Sequence, residues 1–220
     1  MGLMLGDTCP DFTAETQNEP LKLYEYTTDC WFIICSHPGV YTPVCTTEIA
    51  EMIKQNPEFA KRNVKLLAMS FGSKEDSKGW IKDICSLDGG GREDLPFPLI
   101  CDQGRDAALK LGFIKPDDKT KTGLALTARH VMICDKDKKI QAYMVYSATS
   151  GRSFSEILRV LDSLLARERT GCSCPVNWQP GDEYLVPDPT PAGVDQYVTD
   201  IRKVELPSGK SYIKYGKPKQ

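Results

Sequence analysis

Two continuous apolar runs, "CWFIICS" at residues 30–36 and "VKLLAMSF" at 64–71, have strand length and no period-2 alternation. Such runs belong to central strands covered on both faces. Between them, "TTEIAEMIKQNPEFAKRN" carries helical spacing, with Pro57 predicting a kink or break. "SKEDSKGWIKDICSL" reads as a second helix, capped by Ser73 and acidic in its first turn. "GGGRED" is a loop, "FPLICD" a short strand, and "GRDAALKLG" a helix stopped at Gly112. "RHVMICD" and "KIQAYMVYS", joined by "KDKK", predict a hairpin. In "RSFSEILRVLDSLLARER", apolar residues at 154, 157, 158, 161, 164 and 165 form one helical stripe. Alternating strands and helices with a late antiparallel hairpin describe an α/β sandwich around a mixed sheet.

After Arg169 the pattern changes. "TGCSCPVNWQPGDEYLVPDPTPAG" is rich in Pro and Gly and has no helical period, and two extended pieces near 202–206 and 211–215 flank the turn "PSG". The chain therefore divides at 1–169 and 170–220, the second part a small β or irregular extension.

Charge narrows the function. With 28 basic and 30 acidic residues the net charge is −2, which argues against a nucleic-acid surface. The N-terminus lacks a basic stretch followed by an apolar one, and no apolar run is long enough to span a membrane. A soluble, cytoplasmic protein is expected. Nine cysteines without any C-x-x-C fit a reducing compartment, and the two histidines are too few for a zinc site. Cys30, Cys35, Cys101 and Cys134 lie in or beside strand-like runs and read as small buried hydrophobes.

Cys45 is different. "SHPGVYTPVCTTEIAEM" begins where the first apolar run ends, and a helix is predicted to start near Thr42. Thr42 suits the N-cap and Pro43 the first helical position. That places Cys45 in the first turn, among unpaired N–H groups and the positive end of the helix dipole. A thiol there ionises easily, and the thiolate is the nucleophile.

A strand, a turn and a cysteine at a helix start form the arrangement of thioredoxin-like folds, here without the second cysteine of a C-x-x-C. "TPVCTTE" resembles the peroxidatic site of peroxiredoxins more closely still. "LGDTCPDF", "YSATSGRSFSEILRVLDSLL", "CPVNWQPGDEYLVP" and "ELPSGKSYIKY" are similar to the one-cysteine, long-tailed branch of that family. The resemblance runs from about Leu5 to Tyr215. It implies a thioredoxin-like fold with a central mixed sheet flanked by helices, and a C-terminal extension that helps build a homodimer. It also implies a peroxidase for hydrogen peroxide and organic hydroperoxides that uses no metal, haem or flavin. An external thiol such as glutathione, glutaredoxin or thioredoxin would regenerate it.

The same resemblance gives roles to residues. Cys45 would attack the peroxide and become a sulfenic acid. Thr42 matches the hydroxyl that hydrogen-bonds the peroxide, Pro43 the residue that shields the sulfur, and Arg129 the cation beside the thiolate. Strand parity supports Arg129 on its own, because it shares a face with Val131 and Ile133 and a guanidinium there needs a partner. Glu48 is either the residue that orients an arginine or a solvated helix charge. Arg152 matches a second arginine near the site. His37 is either a tuner of the cysteine or a structural histidine. Cys9, before a proline in a loop, is incidental.

Two departures stand out. Some long-tailed members carry a lipase-like Ser, His and Asp set; here Cys30 and Tyr24 replace the serine and histidine and only Asp137 survives, so lipase activity is not expected. Cys174, before "P-V-N-W", is in the register of the resolving cysteine of two-cysteine peroxiredoxins, while the tail beyond Trp178 follows the one-cysteine branch. Two rivals remain open: a redox-sensing or chaperone-like protein that relays oxidation from Cys45 to a partner, and a disulfide oxidoreductase, which the missing C-x-x-C disfavours.

Overall fold

The structure is a computed structural model, and it describes residues 2–88, 91–118 and 129–219, with only the backbone at residue 88. The first two glycines of the "GGGRED" loop lie outside the described residues. The chain divides into two compact units, residues 1–154 and 155–220.

The first unit opens with a two-strand ribbon, β1 (Thr13–Ala14) and β2 (Leu21–Lys22), and one turn of helix, α1 (Leu23–Tyr26). The run "WFIICS" becomes β3 (Trp31–Ser36), buried at every position. Then follow α2 (Pro43–Lys61), β4 (Val64–Ser70), α3 (Lys74–Asp88), β5 (Leu99–Cys101) and α4 (Asp106–Lys110). The hairpin of β6 (Arg129–Cys134) and β7 (Ile140–Tyr146) completes a five-stranded sheet in the order β5-β4-β3-β6-β7. β3, β4 and β5 run parallel and β6 and β7 antiparallel, so the sheet is mixed as expected, with the helices of a thioredoxin-like fold. Alternate residues of the central strands serve different layers: Phe32, Ile34, Leu67, Met69 and Met132 join one core with Phe12, Leu23, Leu111 and Phe113.

Local chemistry explains the boundaries. Ser73 Oγ accepts the amide of Asp76 at 3.0 Å and donates to its carboxylate at 2.8 Å, closing a reciprocal cap on α3. Gly112 takes φ +69° just after α4, where an L side chain would be strained. The β6–β7 turn is tied by Asp135 Oδ1, which accepts the amides of Asp137 and Lys139. Of the expected kink or break, Pro57 does not make the break: α2 runs through it, with the proline at an exposed position.

The second unit holds α5 (Phe154–Thr170) and a three-stranded sheet, β8 (Tyr184–Leu185), β9 (Val198–Lys203) and β10 (Lys214–Pro218), in the order β8-β10-β9. The strands sit further from the "PSG" turn than the sequence reading placed them. The turn at Leu206–Gly209 belongs to a longer loop between β9 and β10. Trp178, Tyr184, Val186, Val194 and Val198 pack with Cys172 into a small separate core.

Candidate active site

The carboxyl end of β3, the start of α2 and the first residue of β6 converge on one edge of the sheet. Because β6 runs antiparallel to β3, its first residue, Arg129, falls beside the last residues of β3. Thr42 occupies the N-cap of α2 in extended conformation and Pro43 the first helical position, which sets Cys45 in the first turn. Thr42 makes no side-chain cap bond, however; its hydroxyl donates to Gly39 O at 3.5 Å and also reaches Cys45. The capping half of its expected role is therefore absent.

Cys45 is fully buried, and Arg129 Nη1 lies 3.3 Å from its sulfur. The same nitrogen donates to Glu48 Oε2 at 2.8 Å. Arg129 Nε and Nη2 both donate to Ala148 O, at 3.1 and 2.5 Å, which fixes the plane of the guanidinium. One helical turn after Cys45, the buried Glu48 accepts three bonds from Arg152: backbone N and Nε to Oε1 at 2.7 and 3.0 Å, and Nη2 to Oε2 at 2.8 Å. Arg152 Nη1 donates to Ser36 O and His130 O, binding β3 to β6 at this point. His37, fully buried, places Nδ1 3.3 Å from Glu48 Oε2 and both ring nitrogens within 3.2 Å of Arg152 Nη2.

The electrostatics follow from this packing. Burial raises the Cys45 thiol, but His37, the Thr42 hydroxyl and Arg129 outweigh it and bring the pKa from 9.0 down to about 6. Burial likewise opposes ionisation of Glu48, while His37 and Arg152 hold its carboxyl far below the usual carboxylate range. Two guanidiniums face one carboxylate here, with His37 beside them, and a thiolate at Cys45 adds a second negative charge. A pKa lowered this far favours the thiolate at neutral pH, the form that reacts as a nucleophile. A cavity of about 390 Å³ opens on the Thr42 and Arg129 side of the site, lined by Pro38, Thr42, Pro43, Val44, Arg129, Ala148 and Thr149. Its walls are mainly apolar, with Arg129 and two threonines, Thr42 and Thr149, as the polar residues.

All seven residues read from the sequence around Cys45 meet here: His37, Thr42, Pro43, Cys45, Glu48, Arg129 and Arg152. Glu48 is no solvated charge but the shared acceptor of both arginines. Ala148 O and Ser36 O were not foreseen, since any residue supplies a carbonyl. The chain also belongs to families whose models it matches: the AhpC/TSA family over residues 5–143 and the C-terminal domain of 1-Cys peroxiredoxin over residues 166–199.

The chain is a peroxiredoxin.

This peroxiredoxin is 43% identical to the Peroxiredoxin-6 of Gallus gallus and 42% identical to that of Homo sapiens, each over 97% of both chains. The C45S mutant of the Peroxiredoxin 6 of Arenicola marina superposes with a TM-score of 0.90 at 39% identity, covering all of both chains. The yeast mitochondrial 1-Cys peroxiredoxin gives 0.85 at 31% identity, over 98% of this chain and 99% of its own. Peroxiredoxins are thiol-dependent peroxidases, and so is this one.

Six other thiols of the peroxiredoxin are shifted the opposite way from Cys45. All nine cysteines are free. Burial raises the thiols of Cys30, Cys101, Cys172 and Cys174, and pushes Cys35 up to about 11. The neighbouring Cys9 thiol, then burial, raises Cys134. Cys9, in a loop as expected, is fully buried in the main core. Cys174, half-buried, donates weakly to Ser163 O at 3.8 Å. Tyr24, in the position of the lipase-like histidine, donates its hydroxyl to Cys9 O at 2.6 Å. Among the described residues, no three His, Cys, Asp or Glu side chains group as a metal site would, and no helix is long and apolar enough to cross a membrane.

Proposed function

We propose that Cys45 is the peroxidatic residue of this thiol peroxidase and that hydrogen peroxide and small organic hydroperoxides are its substrates. The observation that carries this is the Cys45 sulfur itself, 3.3 Å from the Arg129 guanidinium and with its pKa brought down to about 6. The thiolate attacks the terminal peroxide oxygen, an S–O bond forms and the O–O bond breaks. The departing oxygen leaves as water or alcohol once protonated, and the sulfur, oxidised by two electrons, becomes a sulfenic acid. Negative charge spreads along S···O···O as this happens. Arg129 and the Thr42 hydroxyl, both within reach of the sulfur, are the donors that would stabilise it. Pro43 shields the sulfur from bulk solvent. Glu48, Arg152 and His37 hold Arg129 and the thiolate in register.

The test is peroxide consumption by Cys45→Ser, with the other eight cysteines in place. The activity should vanish. Substantial residual turnover would assign the chemistry to another thiol.

An external thiol completes the cycle. The yeast mitochondrial relative resolves its thiol through glutathione and thioredoxin systems, and the same reductants, with glutaredoxin, are proposed here. The raised thiol of Cys174 supports an external route over a resolving role for that residue. The protein works as a homodimer in a reducing compartment, the cytoplasm. β7 supports the dimer, because it is an edge strand of the sheet and its sequence, "IQAYMVY", has no charge to discourage pairing. Residues 1–169 are the peroxidase domain and 170–220 the extension that assists assembly. All nine thiols being free is consistent with the compartment.

A further inference from the structure

Two consecutive side chains of the loop between β3 and α2, Val40 and Tyr41, rest on glycines of the segment that follows β4. A Cβ at Gly72 would lie 2.5 Å from Val40 Cγ1, and a Cβ at Gly79, inside α3, would collide with the Tyr41 hydroxyl. The ring beyond that hydroxyl has room, since Tyr41 Cζ would be 3.6 Å from the added carbon. Immediately after Gly79, Trp80 Nε1 donates to Thr46 Oγ1 at 2.9 Å, and Thr46 in turn donates to Thr42 O at 2.7 Å. Two adjacent residues of α3 therefore hold the chain on either side of Cys45.

Tyr41 also has φ +54°, the left-handed region that a bulky L residue rarely adopts. It is largely exposed, so burial of the whole ring does not account for this backbone. What the structure shows is its hydroxyl end over a helix position that lacks a Cβ. The residue so strained leads directly into Thr42, one of the groups that ionise Cys45.

We infer that Gly79 is a positioning residue of the active site: by seating Tyr41 it fixes the entry of the chain into the turn that carries Thr42 and Cys45. The inference rests on Cys45 being the thiol that peroxide oxidises. Without the seat, Tyr41 relaxes toward ordinary backbone angles and Thr42 swings with it. The Thr42 hydroxyl then leaves the sulfur, although no side chain that touches the peroxide has been altered.

Gly79→Ala tests this in the full chain, because it evicts the hydroxyl while alanine is the better helix former. The second-order rate of Cys45 oxidation by hydrogen peroxide should fall by about tenfold or more, as small misplacements at reacting centres do. The thiol pKa, read from the pH dependence of alkylation, should rise, and the thermal midpoint should hold or increase. Tyr41→Phe combined with Gly79→Ala removes the colliding atom and should restore both rate and pKa. A Gly79→Ala protein with unaltered rate and pKa overturns the inference. So does a double variant as slow as Gly79→Ala, or a Gly79→Ala protein that loses its fold, since the seat would then be merely structural. Cys45→Ser, run alongside, separates this from an error about the thiol: peroxide turnover by that variant indicts Cys45, not Gly79.

Discussion

Arg152 grips Glu48 by its backbone amide and by two side-chain nitrogens, all within 3.0 Å of the carboxylate. The pair closes the site from behind. It joins the segment before α5 to the second turn of α2, and Glu48 in turn presents Arg129 to the sulfur.

Glu48→Gln should destabilise the protein by about 3–5 kcal/mol, the usual cost of removing one partner of a buried ion pair. The folded carboxyl is held below its ordinary 4.5, so it contributes stability that is complete above that value and lost as pH falls toward the folded pKa. Denaturant unfolding of parent and variant should therefore show a full deficit at pH 7 that narrows below about pH 4. Curves that stay parallel across that range would mean the carboxylate is not charged and paired as described.

Peroxide oxidation of Cys45 should follow the thiolate fraction, rising through pH about 6 and flattening well before the ordinary thiol value of 9.0. The folded pKa is the lower one. Ionisation of this thiol thus adds stability that is fully present above pH 9.0 and is lost as pH falls through about 6. Stopped-flow oxidation between pH 5 and 9 checks the rate; a midpoint near 9 would remove the electrostatic account.

Arg129→Ala should cost about 2.7–4 kcal/mol in the oxidation step, as loss of one preorganised donor does elsewhere. Arg129→Lys should recover only part of this. A lysine is a single point charge, whereas Arg129 bonds Ala148 O with Nε and Nη2 while Nη1 serves Cys45 and Glu48. Rates of single oxidation events, measured on proteins with matching thermal midpoints, distinguish the two. Equal rates for Lys and Arg would reduce the role to charge alone.

Cys174 should not resolve the sulfenic acid. In a Cys172→Ser background, one equivalent of peroxide should leave monomers on a non-reducing gel, and excess peroxide should carry Cys45 to sulfinic acid. A covalent dimer abolished by Cys174→Ser would show the two-cysteine route instead.

Cys45 and Arg129 were legible for different physical reasons. The cysteine follows a proline at a helix start, a local signal written in adjacent letters. The arginine lies far along the chain, but strand parity turned it inward among Val131 and Ile133. Glu48 was half legible: its offset from Cys45 was plain, while its burial depended on Arg152 arriving from another element. Ala148 and Ser36 act through backbone oxygens, which every residue type possesses, so no letter marks them. Thr42 carried the signature of a cap and kept the position without the bond, because its hydroxyl faces the thiol and Gly39 O. In the C-terminal unit, strands only two to six residues long leave too little periodicity to place their ends.

The grouping of Arg129, Arg152 and Glu48 around Cys45 makes the site change its need during turnover. With thiolate present, two guanidiniums face two anions, Cys45 and Glu48, with His37 beside them. On the proposed cycle the sulfenic acid is neutral, and Arg129 is left with Glu48 as its charged partner. The site would then favour an incoming anion, such as the thiolate of a reductant. Sulfinate, negative again, would occupy the same place. Recovery and inactivation are thus drawn by one field, and the thiol supply decides between them.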